Sequence, residues 1–178
     1  MFKRINNNID FAENENKISD YWNEINAFEK SLDIRKDAKV FRFYDGPPFP
    51  TGSPHYGNLL AGVIKDIVPR YWTMRGFFVE RRFGWDVHGL PIEMEVQKDL
   101  GLEDPQDIDD YGIDKFNEAC RSQVQTNTEN WEKITRKIGR WVDFENDYKT
   151  MDVGFMESVW WVFKELYDKG LIYKDYKV

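Results

Sequence analysis

The most informative part of the chain is VFRFYDGPPFPTGSPHYGN, residues 40–58. Residues 40–44 are rich in β-branched and aromatic side chains, which predicts a strand. The Pro and Gly residues of 45–54 exclude both helix and strand. Beyond His55, apolar residues recur at helical spacing, so we expect a helix to begin at or near His55.

This order of strand, loop and helix is a common way to bind phosphate, because free backbone N–H groups and the positive end of the helix dipole point out of the loop. His55 stands where a side chain reaches such phosphates, and Gly57 leaves room for a ligand close to the backbone. The Walker and Gly-x-Gly-x-x-Gly patterns are both absent from the sequence. Many α/β proteins bind anions in this way, so the pattern alone does not identify the ligand.

A second strand is predicted over residues 77–83, after the Arg75-Gly76 pair that indicates the end of the helix. Two strands joined by a long helical crossover form a parallel, right-handed unit. Ligands of such sheets lie at the carboxyl ends of the strands. Because residues 45–58 and 84–93 both follow predicted strands, we expect them to line one crevice.

Two blocks of the sequence resemble a known family. Asp45-Gly46-Pro47-Pro48, followed by His55-Tyr56-Gly57-Asn58, resembles the first signature of the class I aminoacyl-tRNA synthetases, usually His-x-Gly-His. RRFGWDVHGLPIE, residues 81–93, resembles the Gly-Trp-Asp-x-His-Gly-Leu-Pro-x-Glu block of the isoleucyl branch, from which the leucyl and valyl branches usually differ. The resemblance covers nearly the whole chain from about residue 22, with further matching blocks at residues 65–68, 70–71, 141–143 and 170–173.

The resemblance implies an α/β fold: the first half of the Rossmann-type parallel sheet of class I synthetases, with N-terminal and inserted helices. We expect residues 1–39 to form an N-terminal helical appendage and residues 40–178 to form the first half of the catalytic domain. In the family, a large editing insertion interrupts the sheet where this chain ends, and the Lys-Met-Ser-Lys-Ser motif lies further downstream. We therefore expect the chain to be a fragment that is inactive on its own.

The function implied by the resemblance is amino-acid activation. The intact enzyme would activate isoleucine with ATP and Mg²⁺ to isoleucyl-adenylate and then transfer it to tRNA(Ile). Leucyl or valyl specificity stays open, since one methylene is worth only about 1–3 kcal/mol. Alternatives from a different class are a small adenylyltransferase with the same His-x-Gly-His loop and a non-catalytic nucleotide-binding fragment. Adenylyltransferases of that kind carry the loop near the N-terminus and lack the block at residues 84–93, which argues against them.

The resemblance also implies roles for single residues. His55 and Asn58 are expected to be catalytic, because they stabilise charge as the amino-acid carboxylate attacks the α-phosphate. Asn58 departs from the usual second His, and it can donate a hydrogen bond but cannot carry charge. Asp86 is expected to hold the substrate ammonium. The expected ATP-binding residues are Pro48, His55, Gly57 and Asn58, and the expected amino-acid-binding residues are Gly46, Pro47, Trp85, Asp86 and His88.

Composition limits the other functions. The 178 residues are 41% hydrophobic and 16% aromatic, which suffices for a buried core. The net charge of −7 disfavours a free-standing nucleic-acid binder, so most of the tRNA-binding surface is expected outside this chain. Cys120 is the single cysteine, so neither a disulfide nor a metal site is expected. The sequence shows no signal peptide and no membrane-spanning run, which favours a cytoplasmic protein with no membrane partner.

The remaining sequence predicts mainly helices. A helix over residues 113–138 carries a long apolar stripe that Asn127 interrupts, and Gly139 ends it. The other expected elements are a flexible terminus over residues 1–9, a helix over 10–30 with a break near Asn14–Asn16, a helix over 90–100, an acidic loop over 101–110, a loop over 140–151, a helix capped by Asp152 and ended by Gly170, and a strand beginning at 171–174.

Overall fold

Residues 9–176 are described by a computed structural model, and they form seven helices and one two-stranded sheet. The flexible terminus expected over residues 1–9 lies, apart from Ile9, outside the described residues. The helices are α1 (Phe11–Glu24), α2 (Ala27–Asp33), α3 (Tyr56–Met74), α4 (Leu90–Leu100), α5 (Pro105–Tyr111), α6 (Ile113–Lys137) and α7 (Val153–Asp168), and the strands are β1 (Arg82–Trp85) and β2 (Asp143–Lys149).

The sheet is built on the strand that leads into the second sequence block. β1 pairs in parallel with β2, with Gly84 opposite Tyr148 and Trp85 opposite Lys149. The two strands run in the same direction, so the segments that follow them leave the sheet at the same edge. The expected parallel α/β architecture is confirmed.

The first pair of predicted strands is reduced to one parallel bridge, between Val40 and Phe78. The Phe41 N–H donates to the Phe78 carbonyl at 2.9 Å, and the Phe78 N–H donates to the Lys39 carbonyl at 3.0 Å. The predicted direction of pairing is therefore confirmed. The predicted extents of both strands are wrong, because the regular ladder begins only at Arg82.

β2 lies where a loop was predicted, over residues 140–151. Its sequence, DFENDYK, is rich in Asp, Glu and Asn, residue types that are depleted from strands. Pairing with β1 overrides this local preference. Phe144 turns into the core, where its ring stacks on Phe83 with centroids 4.6 Å apart. The prediction of a loop is therefore wrong here.

The acidic segment also holds a helix that was not predicted, α5. Pro105 stands in its first turn, and the Asp107 carboxylate accepts the backbone N–H groups of Glu103 and Asp104, both at 2.9 Å. These backbone hydrogen bonds lower the pKa of Asp107, since they favour its ionised form. A short run of carboxylates thus caps a helix where only a loop was expected.

Two predictions near the ends of the chain are wrong. The N-terminal helix breaks at Asn26, not near Asn14–Asn16, and Asn26 has a φ of 49°, a left-handed conformation that Asn tolerates. Residues 171–174 form no strand within the described chain, since they meet no partner strand there. The last helix begins after Asp152 as expected, although the carboxylate of Asp152 accepts the Lys149 N–H at 2.9 Å rather than capping α7.

The long helix predicted over residues 113–138 is confirmed as α6. Its polar interruption, Asn127, is buried against α4, where its side-chain N–H₂ donates to Glu95 at 3.2 Å. Gln123 donates to the other oxygen of Glu95, also at 3.2 Å. A buried polar group with hydrogen-bond partners is tolerated, which explains why Asn127 interrupts the apolar stripe without breaking the helix. Gly139, with a φ of 76°, follows its last turn as expected.

The hydrophobic core lies between the sheet, α4 and α6. Burial of each of its larger side chains stabilises the fold by about 2 kcal/mol. Cys120 is partly buried against this core, and burial raises the pKa of its thiol. The buried members of the core are Phe83, Trp85, Val87, Ile92, Val96, Phe116, Val124, Trp131, Val142 and Phe144.

Arg81 ties the end of α3 to the start of β1. Its guanidinium is buried and donates to the Pro69 carbonyl at 3.1 Å and to the Thr73 hydroxyl. Burial lowers the pKa of Arg81 to about 10, so the side chain keeps its charge at neutral pH. The contact holds α3 against the strand that leads into the second sequence block.

Two helices expose apolar faces. On α3, the side chains of Leu60, Ile64 and Ile67 are each more than half exposed. α7 has no buried residue, and Trp160 on it is 75% exposed. Contiguous apolar surface of this kind marks places where a protein packs against something else. Within residues 9–176, every helix falls short of the length and apolar character that a membrane span requires.

Candidate functional site

His55 is the N-cap of α3, which confirms the expected helix start. The imidazole Nδ1 of His55 accepts the backbone N–H of Asn58 at 3.3 Å, and the side-chain Oδ1 of Asn58 accepts the backbone N–H of His55 at 3.0 Å. This reciprocal pair is a capping box, with an imidazole and a carboxamide in place of the more common hydroxyl and carboxylate. Asn58 therefore fixes the first turn of the helix, whatever it contacts in a ligand.

Gly57 lies directly beneath the His55 ring. A Cβ atom added to Gly57 would stand 3.0 Å from Cε1 and 3.1 Å from Nδ1 of His55, so a side chain here would displace the imidazole. The backbone N–H groups of Tyr56 and Gly57 donate to no acceptor in the described part of the chain, and both residues are exposed. The start of α3 thus offers two N–H donors, the helix dipole and an imidazole, a combination that suits phosphate oxygens.

Asp45 anchors the start of the loop over residues 45–54, which we call the signature loop. Its Oδ1 lies 2.5 Å from Lys65 Nζ, and its Oδ2 lies 2.6 Å from Arg140 Nη2. Lys65 also donates to the Gly46 carbonyl at 3.0 Å. The Arg140 side chain is only 7% exposed, so its ion pair with Asp45 is shielded from water. Both cations come from outside the signature loop.

Trp131 of α6 anchors the other end of the signature loop. Its indole N–H donates to the Gly52 carbonyl at 2.8 Å. Gly52 has a φ of 56°, a left-handed conformation that favours glycine. The two residues are 79 positions apart, so this contact has no local signal in the sequence.

A cavity of about 250 Å³ lies between the signature loop, α3 and α6. Four of the expected site residues line it, namely Gly46, Pro47, Pro48 and Asn58, whereas the other five do not. Its remaining wall is formed by Pro54, Leu59, Ala61, Gly62, Lys65, Phe83, Trp131, Thr135, Ile138 and Arg140.

One backbone hydrogen bond joins the signature loop to the second sequence block. The Asp86 N–H donates to the Pro48 carbonyl at 2.9 Å. Asp86 is half-buried and comes directly after β1. The two blocks expected to line one crevice are therefore in contact at the carboxyl end of the strand.

Thr150 organises the residues that follow β1. Its hydroxyl oxygen accepts the Val87 N–H at 2.9 Å, lies 2.7 Å from Nδ1 of His88, and donates to Asp86 Oδ1 at 3.3 Å. Thr150 is buried, and its own N–H donates to the Trp85 carbonyl at 3.0 Å. Sequence reasoning missed Thr150, because it stands in the segment expected to be a loop.

The Trp85 side chain faces the core. It is 1% exposed, and its indole N–H donates to Asp147 Oδ2 at 2.7 Å. Its ring packs against Phe83 and Phe144, with centroids 4.4 and 6.3 Å away. Trp85 therefore supports the site from behind, and its expected contact with the amino acid stays a prediction.

Tyr148 packs against the second sequence block. Its ring covers Gly84, where an added Cβ would stand 2.2 Å from the ring carbon Cζ, so only glycine fits. Burial raises the pKa of the Tyr148 phenol, and the carboxylates of Asp45 and Asp86 raise it further. Tyr148 thus lies close to both sequence blocks. Sequence reasoning missed this residue too, since no motif marks it.

The arrangement combines two complementary charges. The start of α3 suits a polyanion, and Asp86 supplies a carboxylate whose second oxygen, Oδ2, has no hydrogen-bond partner among the described residues. A nucleoside triphosphate and a primary ammonium would match these two features. Within residues 9–176, no group of three or more His, Cys, Asp and Glu side chains is arranged to hold a metal ion.

Comparison with known proteins adds relatives that cover almost the whole chain. The family model described as tRNA synthetases class I (I, L, M and V) matches residues 17–178. The chain is 52% identical to the isoleucine–tRNA ligase of Treponema denticola, 56% to that of Protochlamydia amoebophila and 53% to the cytoplasmic isoleucine–tRNA ligase of Saccharomyces cerevisiae. These alignments cover 100%, 94% and 97% of this chain, but the chain spans only 16% of the length of each relative.

Among solved structures, the chain resembles the LeuRS of Agrobacterium radiobacter, crystallised as a ternary complex with tRNA and LeuAMS. The TM-score is 0.63, and the match covers 90% of this chain and 18% of that one. The two sequences are 21% identical, so this likeness bears on the fold alone.

Proposed function

Because the chain belongs to the class I tRNA synthetases of the isoleucine, leucine, methionine and valine group, we propose that it forms the first part of the catalytic domain of an isoleucine–tRNA ligase. The whole protein activates isoleucine with ATP to isoleucyl-adenylate and transfers the isoleucyl group to tRNA(Ile). Isoleucine is favoured over leucine and valine because relatives named isoleucine–tRNA ligase match almost the entire chain at 52% to 56% identity.

The observation that carries the mechanism is the hydrogen bond between the Asp86 N–H and the Pro48 carbonyl. It brings a carboxylate that suits an ammonium next to a loop and helix start that suit a triphosphate. An amino acid held through its ammonium at Asp86 would present its carboxylate to the α-phosphate of ATP. That carboxylate attacks the phosphorus, pyrophosphate leaves, and the adenylate remains.

The residues at the start of α3 act on the phosphates. His55 and the free N–H groups of Tyr56 and Gly57 stabilise the negative charge that develops there, and preorganised donors of this kind are usually the largest catalytic term. Asn58 holds the first turn in shape through the capping box. Mg²⁺ arrives with ATP and is bound mainly through the phosphates.

The amino-acid pocket is formed around Asp86. Gly46 and Pro47 supply one wall, and both line the cavity beneath the signature loop. His88 lies beside Asp86 in this pocket, because its Nδ1 and Asp86 Oδ1 both contact the Thr150 hydroxyl. The ATP-binding set is Pro48, His55, Gly57 and Asn58, and the amino-acid-binding set is Gly46, Pro47, Trp85, Asp86 and His88, with Trp85 acting from the core side.

The chain contributes one part of a larger domain. Residues 40–178 form the first half of the Rossmann-type catalytic domain, before the editing insertion, and residues 1–39 form a helical appendage. The exposed apolar faces of α3 and α7 support this arrangement, since the rest of such a domain would cover them. tRNA binds largely through regions outside this chain. The protein is located in the cytoplasm, a proposal that the name of the yeast relative supports.

The test is ATP–pyrophosphate exchange by the native-length protein, with isoleucine, valine, leucine and methionine supplied in turn. We expect the fastest exchange with isoleucine. Faster exchange with leucine or valine would support the proposed activation chemistry but contradict isoleucine as the substrate. No exchange with any of the four would overturn activation itself, and ATP titration of the 178-residue chain would then test nucleotide binding alone.

A further inference from the structure

We propose that Thr150 is a positioning residue for the ammonium-binding carboxylate, acting together with His88. The proposal rests on the proposed function, in which Asp86 holds the substrate ammonium. Thr150 belongs to neither sequence block. It acts through its hydroxyl, which contacts three consecutive residues, Asp86, Val87 and His88.

The hydrogen-bonding capacity of the hydroxyl decides how these contacts are arranged. A threonine hydroxyl donates one hydrogen bond and accepts two. The Val87 N–H occupies one acceptor position. If His88 donates its Nδ1–H to the second, the hydroxyl hydrogen is left for Asp86 Oδ1, and all three capacities are used. The reverse arrangement, in which Thr150 donates to His88, would leave Asp86 Oδ1 without that donor.

Every donor and acceptor of the hydroxyl is therefore used only when His88 donates to Thr150 and Thr150 donates to Asp86. It fixes the tautomer of His88, because a histidine nitrogen that donates must carry the proton. It also fixes the carboxylate plane of Asp86 by holding Oδ1, while the backbone N–H of the same residue is held by Pro48. Asp86 Oδ2 is then presented to the substrate without rotation of the side chain.

Holding a carboxylate in its binding orientation beforehand lowers the entropy that binding must remove. The effect should be specific to the amino acid, since ATP is held elsewhere, at the start of α3. A purely structural role would instead lower the fraction of active enzyme, which lowers the apparent kcat and leaves the ratio of the two KM values unchanged. The ratio of the two KM values therefore separates positioning from folding.

The experiment uses the native-length protein and the isoleucine-dependent exchange reaction. Thr150→Val keeps the shape and removes the hydroxyl, and Thr150→Ser keeps the hydroxyl. We expect Thr150→Val to raise KM for isoleucine roughly fivefold or more, the factor for one lost hydrogen bond, and KM for ATP by less than about twofold. Thr150→Ser should stay near the wild-type values.

The matched control is Thr126→Val, the same substitution on the exposed face of α6, where the hydroxyl bonds only the Ser122 carbonyl. It should change neither KM. If Thr150→Val does not fold, Thr150→Ala carries the test, since it also removes the hydroxyl and places no methyl group beside Asp86 Oδ1. An unchanged KM for isoleucine, or equal rises in both KM values, would overturn the proposal. Absence of exchange in the wild-type protein would instead overturn the proposed function, and the positioning role with it.

Discussion

The two sequence blocks meet in one site but are held there in different ways. The second block, residues 81–93, contains β1, whose backbone is paired and whose Trp85 is almost completely buried. The signature loop, residues 45–54, has no regular secondary structure. Apart from the bond between Pro48 and Asp86, its main anchors are side chains of distant elements, namely Lys65, Trp131 and Arg140.

Because of this difference, substitutions in the second block and in the signature loop should have different effects. A change in the second block disturbs the sheet and core, so it should act first on stability. A change at an anchor of the signature loop leaves the sheet in place, so it should cost less stability and should also alter the shape of the nucleotide-binding side. The following predictions test that division, from the largest expected effect to the smallest.

Gly84→Ala should give the largest loss of stability. The added Cβ would overlap the Tyr148 ring at 2.2 Å, and overpacking of this kind costs about 3 kcal/mol. Urea unfolding of the 178-residue chain, followed by tryptophan fluorescence, measures the change. The control is Gly154→Ala on α7, where no atom lies within 4 Å of the added methyl group, and it should be neutral or slightly stabilising. Equal unfolding midpoints for the two variants would contradict the assignment of the second block to the core.

Asp45→Asn should give the second-largest loss of stability, because it removes the ion pairs that hold the start of the signature loop. The substitution leaves the buried Arg140 guanidinium without its anionic partner, and breaking a buried ion pair in this way costs about 3 kcal/mol, reduced here because Asp45 and Lys65 are partly exposed. The matched control is Glu132→Gln, which breaks an exposed pair with Arg136 and should change stability by less than about 0.5 kcal/mol. The same unfolding assay applies. A loss no larger than that of the control would mean that the entrance of the loop is held by its backbone alone.

The sequence predicted best where the signal is local. The capping position of His55 and the apolar stripe of α6 both follow from residues within one or two helical turns of each other, and both are confirmed. The two sequence blocks were also found locally, because each carries its Pro, Gly and aromatic residues in one short run. Their contact at Pro48 and Asp86 followed from the general rule that ligand-binding segments leave the carboxyl ends of parallel strands.

The parts that were missed depend on residues far apart in the chain. Thr150 reaches Asp86 across 64 positions, and only the pairing of β2 with β1 brings them together. The composition of β2 argues against a strand, so no local rule recovers it. Trp131 lies on the apolar stripe predicted for residues 113–138, but its hydrogen bond to Gly52 gives it a second role that periodicity cannot reveal.

Trp131→Phe should loosen the end of the signature loop with a modest loss of stability. Phenylalanine keeps most of the ring in the core but removes the hydrogen bond to Gly52, which is worth about 1 kcal/mol. We expect faster amide hydrogen exchange in peptides that cover residues 49–54, with unchanged exchange in β1. Trp160→Phe, at an exposed position on α7, should change amide exchange neither in residues 49–54 nor in β1. Faster exchange in β1 as well would show that the loop and the second block are not independent.

Tyr148→Phe should have the smallest effect on stability at neutral pH. It tests whether the carboxylates of Asp45, in the signature loop, and Asp86, in the second block, both act on the phenol. Burial, with the carboxylates of Asp45 and Asp86, raises the pKa of Tyr148 in the folded state. The folded protein therefore holds this proton more tightly than the unfolded chain does. The resulting stability is fully present below the ordinary tyrosine pKa of about 10 and is lost as the pH rises through the folded-state pKa.

Wild-type protein should accordingly lose stability more steeply above about pH 10 than Tyr148→Phe does, with parallel behaviour below pH ~9. Urea unfolding midpoints across this range measure the difference. Tyr173→Phe, at a position that is 80% exposed, is the matched control and should follow the wild-type curve. Because both carboxylates contribute to the raised pKa, Asp45→Asn should shrink the difference without abolishing it. A Tyr148→Phe curve that coincides with the wild type at every pH would mean that the folded protein does not raise the pKa of the phenol and that the carboxylates of Asp45 and Asp86 do not act on it.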